Sequence, residues 1–303
     1  MYDLFVLGGG PAGMTAAVYA ARKHVHALLL SSDLGGQLNW TLGIENYMGY
    51  QLVTGFELME KFRTQVEQFP IDMETGQTLA HLSKIEGGFE VATESGKTYQ
   101  AKAAIIATGK RPRPLGVPGE ELLIGRGVSY CAVCDGPFFK GLKVAVIGGG
   151  NSALEAVLDL VKIADHIFLI AHADLTGDQV LINKVKDAPN ATILLGHETL
   201  EIKGKDLVSG ISVKDMKTSE KKNLTVDGVF VEIGLMPNSG FARNVVTLNE
   251  RNEIRVNCSC ETGVPGLYAA GDVTDIPEKQ IVVAAGEGAK AALQAHRYLR
   301  RLA

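Results

Sequence analysis

The 303-residue chain has few cysteines, no long apolar run and no concentration of basic charge, and each shortage removes a class of function. Four cysteines in so long a chain cannot form the framework of a secreted disulfide scaffold. In a reducing compartment, a close cysteine pair serves redox or metal chemistry more often than bracing. No apolar stretch approaches the roughly 18 residues that span a bilayer. No basic block accompanies the formal net charge of −4, so the electrostatic footprint of a nucleic-acid or anionic-membrane binder is missing. The first residues enter a strand-like run, YDLFVLGGG, with no room for a charged region, an apolar stretch and a cleavage site. A cytoplasmic location is the expectation.

What is present is apolar material and glycine in a repeated arrangement. With 46% hydrophobic residues the chain exceeds the usual size of one core, which predicts two packed domains. Two stretches look alike: VLGGGPAGMTAAVYAA from Val6 and VIGGGNSALEAVLDL from Val146. In the first, Gly8, Gly10 and Gly13 match G-x-G-x-x-G. In the second, Gly148, Gly150 and Ala153 match the variant ending in alanine. One glycine makes the tight turn, the next lets the backbone approach a diphosphate, and the last small residue lets helix and strand pack. Backbone amides at the helix start would hold the diphosphate. Each copy is followed by a second apolar strand ending in glycine, AAIIATG up to Gly109 and GVFVEIG up to Gly234. The fold class is therefore α/β, with two doubly wound, Rossmann-like dinucleotide-binding units.

The intervening pattern agrees with this plan. TGFELMEKFRTQVEQFP predicts an amphipathic helix opened by a Thr54–Glu57 capping box and ended before Pro70. HLSKIEGGFEVATESGKTYQAK alternates and turns at Gly87-Gly88 and Ser95-Gly96, a small β-meander, and a similar signal recurs near 199–226. Beyond Gly240, NEIRV and GLYAAGD read as strands, and EGAKAALQAHRYLRRL as a closing helix with arginines at its C-terminal end.

CAVCDG, residues 131–136, supplies the chemistry. Two residues between thiols suit metal binding, bracing or electron exchange alike. A zinc-braced binding module would need Cys258 and Cys260 to complete a four-cysteine set, and their C-x-C spacing is one that zinc ribbons seldom use. Simple burial accounts for that second pair, and no metal site is expected.

The ordered motifs GGGPAGMTAAVYAAR, GGQL, ENYMG, IIATG, CAVCDG, VIGGGNSALEA, AAGDV and KQIVVAAGEGAKAA resemble those of low-molecular-weight thioredoxin reductases over essentially the whole chain. CDGPFFKG and the segment from DQVL to EGAKAA are similar to the flavoprotein subunit of alkyl hydroperoxide reductase, without that subunit's additional N-terminal domain. The resemblance implies a discontinuous FAD domain, 1–112 and 243–303, with an NAD(P)-binding-like domain, 113–242, inserted and carrying the redox disulfide. It implies FAD contacts at Gly8, Gly10, Pro11, Ala12 and Gly13, and further along at Gly36, Gln37, Leu38, Asn46, Thr108, Gly109, Asp272, Gln280 and Ile281. Cys134 would face the flavin in a charge-transfer contact, Cys131 would attack the partner's disulfide, and Asp135 would carry the thiol proton. The implied acceptor is a thioredoxin-like protein or a peroxiredoxin-linked carrier, and the implied assembly is a homodimer.

One stretch departs from the resemblance. NADPH-dependent members carry H-R-R-x-x-x-R after the second strand of the inserted domain, whereas this chain reads IFLIAHADLTGDQVL and has no arginine between Arg126 and Arg243. His172 is the loop's candidate base and Asp174 its nearest carboxylate, both read as solvated loop residues. Gly148, Gly150, Ser152 and Ala153 keep a diphosphate site geometrically available. The donor is left open among NADH, NADPH, ferredoxin and another, unidentified donor. One flavin face serving both donor and disulfide requires the inserted domain to rotate about hinges near 112–117 and 240–245.

Overall fold

A computed structural model describes residues 1–41 and 43–302. The chain runs β1 (Tyr2–Leu7), α1 (Pro11–Ala21), β2 (Ala27–Leu30), α2 (Gly55–Glu67), β3 (Asp72–Glu74), β4 (Leu79–Ile85), β5 (Gly88–Thr93), β6 (Thr98–Ile106) and β7 (Lys110–Pro112). There follow α3 (Glu120–Leu123), β8 (Val128–Ser129), α4 (Ala132–Asp135), β9 (Lys143–Ile147), α5 (Asn151–Leu160), β10 (His166–Ala171), α6 (Gln179–Lys186) and β11 (Ala191–Leu195). The last elements are β12 (His197–Gly204), β13 (Val208–Asp215), β14 (Lys221–Leu224), β15 (Gly228–Val231), β16 (Leu235–Pro237), β17 (Leu267–Ala269) and α7 (Ile281–Leu302).

Two sheets organise these elements. The first has the order β3-β2-β1-β6-β5-β4, with β17 pairing parallel to the end of β6. The second has the order β11-β10-β9-β15-β8 and is parallel throughout. The central strands are apolar on both faces because both faces are covered. In β1, Leu4 and Val6 join the core under α1 and α7, while Phe5 and Leu7 join the core beneath β4 and β5. In β9, Val144 and Val146 face α5 and α6, while Ala145 and Ile147 face the β12–β14 meander. Each such leucine, isoleucine, valine or phenylalanine side chain, taken wholly from water, contributes roughly 1.5–3 kcal/mol before entropy is counted.

Local chemistry sets the element ends. Thr54 caps α2 by accepting from the Glu57 amide at 3.2 Å while the Glu57 carboxylate accepts the Thr54 amide at 3.0 Å, the reciprocal box read from the sequence. The closing helix begins at Ile281, earlier than its sequence pattern suggested, and within it Gly288 sits where an added Cβ would lie 2.0 Å from the Ala12 carbonyl. Glycine inside α7 thus marks a close crossing with α1 rather than a helix start. NEIRV forms isolated bridges through Ile254 rather than a strand: the Asn249 side chain accepts from the Arg251 and Glu253 amides and turns the chain there.

The polypeptide passes between the two sheets on neighbouring lines. Lys110–Pro112 pairs antiparallel with Leu235–Pro237, forming a two-stranded ribbon. Asn238 reinforces it, receiving the Thr108 hydroxyl at its carbonyl (2.7 Å) and donating its side-chain amide to the Thr108 carbonyl (2.9 Å). The return crossing at Leu235–Pro237 precedes the 240–245 stretch expected as a hinge, where Ala242 and Val246 are buried in the first sheet's core.

Candidate active site

The two glycine turns repeat one another closely. Gly8 has φ +120° and Gly148 φ +147°, a region open to glycine without strain. A Cβ on either would lie 2.3 Å from a carbonyl at the end of a neighbouring strand, Ala107 for Gly8 and Glu232 for Gly148. Above Gly10 there is open space, and above Gly150 the nearest atom, the Thr176 hydroxyl, stands 4.0 Å away. Gly13 and Ala153 pack where helix meets strand, and a Cβ on Gly13 would lie 1.8 Å from the Gly8 carbonyl.

Around the first turn, side chains distant in sequence converge. Gln37 donates to Asp272 at 2.7 Å and Asn46 to Gln280 at 3.0 Å. Pro11 opens α1, Ala12 is buried beneath Gly271 and Gly288, and Ile281 opens α7. Gly36, with φ +56°, lies against Gly10, and Gly109 is open above its Cα. The Thr108 hydroxyl is taken by Asn238, and the Leu38 side chain is buried with Ile44, Val53, Leu58 and Met59. This set forms an open backbone cradle at a helix start, bordered by amides and a carboxylate, and it fits a flavin dinucleotide.

Beneath the cradle is a buried ionic cluster that no local pattern in the sequence announces. Lys110 pairs with Glu253, both about 8% exposed, and Lys279 lies 3.6 Å from the same carboxylate while donating to the Thr274 carbonyl at 2.6 Å. Burial pushes the Asp272 carboxyl up, opposed by Gln37 and by the charges of Lys279 and Lys110. Burial and the neighbouring Lys110 charge lower Lys279.

Cys131 and Cys134 are joined as a disulfide, with Cα atoms 5.3 Å apart. The Cys131 sulfur accepts the Cys134 amide at 3.2 Å, so the pair opens the single-turn α4. Cys258 is exposed and Cys260 is buried beside α7. Asp135 is 4% exposed. Its Oδ2 accepts the Ser129 hydroxyl at 2.6 Å, and its Oδ1 is buried without a hydrogen-bond partner among the described residues. Burial pushes its pKa up to about 6, with the Ser129 bond acting against the rise. Ser129 also receives the Cys131 amide at 3.1 Å, a role legible only as a serine two residues before the motif. Phe138, just beyond, packs on Gly43, where an added Cβ would lie 2.4 Å from the ring. The disulfide-bearing turn thus rests on the segment between GGQL and ENYMG.

The second turn is held by its own loop. The Thr176 amide donates to the Gly149 carbonyl at 2.8 Å, and Asn151 and Asp178 exchange hydrogen bonds through their side chains and the Asp178 amide. His172 and Asp174 are exposed, just past the end of β10 at Ala171. Ser152 donates to the Glu232 carboxylate.

With two dinucleotide turns on one chain and a disulfide beside a buried acid, comparison with known proteins decides the class. The family model described as pyridine nucleotide-disulphide oxidoreductase matches residues 2–288. The chain belongs to this family. The F subunit of alkyl hydroperoxide reductase of Staphylococcus aureus is 44% identical over 301 residues, covering 99% of this chain and 59% of that protein. The chain therefore spans about three-fifths of the length of such relatives. Thioredoxin reductase from Streptococcus pyogenes matches with TM-score 0.94 at 35% identity, covering 99% of each chain. The Lactococcus lactis thioredoxin reductase in its FR conformation matches with TM-score 0.69 at 34% identity, covering 99% of this chain and 100% of that one. The plan is that of the solved thioredoxin reductases. Among the described residues no helix is long and apolar enough to cross a membrane.

Proposed function

We propose that this chain takes electrons from a reduced pyridine dinucleotide, passes them through FAD to the Cys131–Cys134 disulfide, and delivers them to the disulfide of a small thioredoxin-type protein or a peroxiredoxin-linked carrier. The observation that carries the reading is the disulfide at the start of α4 with Asp135 buried beside it. FAD would be held by the amides of Gly10, Ala12 and Gly13, and by the Gln37–Asp272 and Asn46–Gln280 pairs. When bound it supplies a two-electron relay between donor and disulfide.

The chain's own residues handle protons and position. Reduction of the disulfide breaks the S–S bond and leaves two sulfurs that together take up two electrons and up to two protons. Asp135, neutral below about pH 6, is the group placed to give and retrieve one of them. Ser129 holds that carboxyl in one orientation while fixing the amide of Cys131. The Cys131 thiolate then attacks the partner's disulfide.

NADH suits the donor loop better than NADPH. The loop after β10 presents His172, Asp174 and Asp178 and no guanidinium to clamp a 2′-phosphate. The inserted unit, proposed as residues 113–234 because Ala242 packs in the first sheet's core, must also swing. The two solved reductases match with nearly equal identity and coverage but very different TM-scores, as a rotation of one unit against the other would produce. The ribbon Lys110–Pro112 with Leu235–Pro237 is the natural axis.

Anaerobic titration with NADH and NADPH, following bleaching of the flavin band, tests the donor. Faster reduction by NADH supports the reading. If both fail while reduced ferredoxin succeeds, a ferredoxin-dependent enzyme replaces it. A crosslink between the Phe138 turn and the Gly43 segment should stop turnover, and sedimentation at micromolar concentration should give a homodimer.

A further inference from the structure

β9 and β15 are central neighbours in the second sheet, and their carboxyl ends flank the point where strand order reverses. Open parallel sheets leave their binding crevice at such a point. Two side chains meet across it. Ser152 stands in the first turn of α5, Glu232 follows the last residue of β15, and the serine hydroxyl donates to the carboxylate. The same carboxylate interacts with the amide of Ala132, the first residue of the disulfide-bearing α4.

The first unit supplies an internal control. The Ala107 amide bonds the Leu7 carbonyl at 2.7 Å, just as the Glu232 amide bonds the Ile147 carbonyl at 2.8 Å. Both residues present their own carbonyl to the first glycine of a turn at the same 2.3 Å approach. Ala107 and Glu232 are therefore structural counterparts, and a methyl group in one crevice becomes a carboxylate in the other.

We propose that Glu232 gates the donor crevice: tied to Ser152, its carboxylate holds the crevice against an anionic dinucleotide, and neutralising or removing that charge opens it. This gate rests on a pyridine dinucleotide being the donor, as proposed for the function. A helix start attracts one anion, and a resident carboxylate competes with the arriving diphosphate for the same donors while repelling it. The other charged groups acting on Glu232 are Glu155 and Asp159 of α5, both acids, so they add to the repulsion. Burial raises the Glu232 pKa to about 7, opposed by the Ser152 and Ala132 hydrogen bonds. The neutral, admitting form therefore prevails below about pH 7 and the closed, charged form above it.

The test is calorimetric binding of NAD⁺ to the oxidised, FAD-loaded protein from pH 6 to pH 8. Affinity should fall about tenfold for the native protein, as the admitting fraction shrinks. Glu232→Gln should bind at pH 8 about tenfold more tightly than the native protein, with a flat pH profile. Glu232→Ala should be equally flat, which separates lost charge from any effect of the glutamine amide. The inference is overturned if both variants keep the native slope, or if both bind more weakly at pH 8, which would make the carboxylate a ligand rather than a barrier. If native protein and variants alike fail to bind NAD⁺ while retaining flavin and disulfide, the donor reading falls and takes this inference with it.

Discussion

The turn at Gly8–Gly13 and the turn at Gly148–Ala153 have the same backbone and different surroundings. In each, the loop after the next strand bonds back to the middle glycine at 2.8 Å, from Gly35 to Gly9 in one and from Thr176 to Gly149 in the other. Yet the first opens onto amides and one acid gathered from both ends of the chain. The second is spanned by Ser152 and Glu232 and clamped by Asn151 and Asp178. A shared fold copies the cradle; it does not copy what the cradle accepts. The difference lies in side chains at equivalent backbone positions, so exchanging those side chains should exchange behaviour.

The largest effect is expected from importing the acid. Ala107→Glu would place a carboxylate in the first crevice, and FAD affinity should fall at least about 100-fold, read as loss of the flavin absorbance band per protein. Retention of full flavin would break the comparison. Next is the close packing at the third small residue. Gly13→Ala pushes a methyl group into the Gly8 carbonyl and should cost about 2–4 kcal/mol in chemical denaturation. Ala153→Gly at the matching position should cost no more than about 1 kcal/mol.

A third prediction concerns the acid that has no counterpart in the first unit. Asp135 is held at a pKa of about 6 by burial, above its usual range near 4, so its neutral form is favoured by folding. That contribution is complete at pH below about 4 and is lost as pH rises through about 6. Thermal melts of the oxidised protein should show a loss of stability across this window that is absent in Asp135→Asn, and the variant's dithiol should exchange with a disulfide probe about tenfold or more slowly. The smallest effect is local to the first unit: Thr54→Ala removes the cap of α2 and should cost about 1 kcal/mol while leaving nucleotide binding by the second unit unchanged.

Glycine spacing and continuous apolar runs made both sheets legible in the sequence, because Gly8 and Gly148 are required by backbone geometry that no other residue adopts freely. The capping box at Thr54 and Glu57 was legible because its two hydrogen bonds are made within one helical turn. What escaped was contact at long range. Lys110, Glu253 and Lys279 are far apart in sequence, and nothing local to Glu253 announces that it is buried between two ammonium groups. The NEIRV segment misled because its alternation matches a strand, while the Asn249 side chain competes for the amides that a ladder would use. Glu232 and Ser129 lie beside recognisable motifs, but their roles come from partners brought close only by the fold.

The adjacent crossings at Lys110–Pro112 and Leu235–Pro237 also govern the order in which the molecule can be completed on the ribosome. Every strand of the second sheet has been synthesised once Val231 is made, well before β17 and α7, so that unit can close early. The first unit must wait for β17 and α7, with the strand β6 and the helix α1 uncovered in the meantime. The unit whose strands begin first is thus the last to mature, and a nascent chain stalled before Leu267 would present a finished carrier of the disulfide tethered to an unfinished holder.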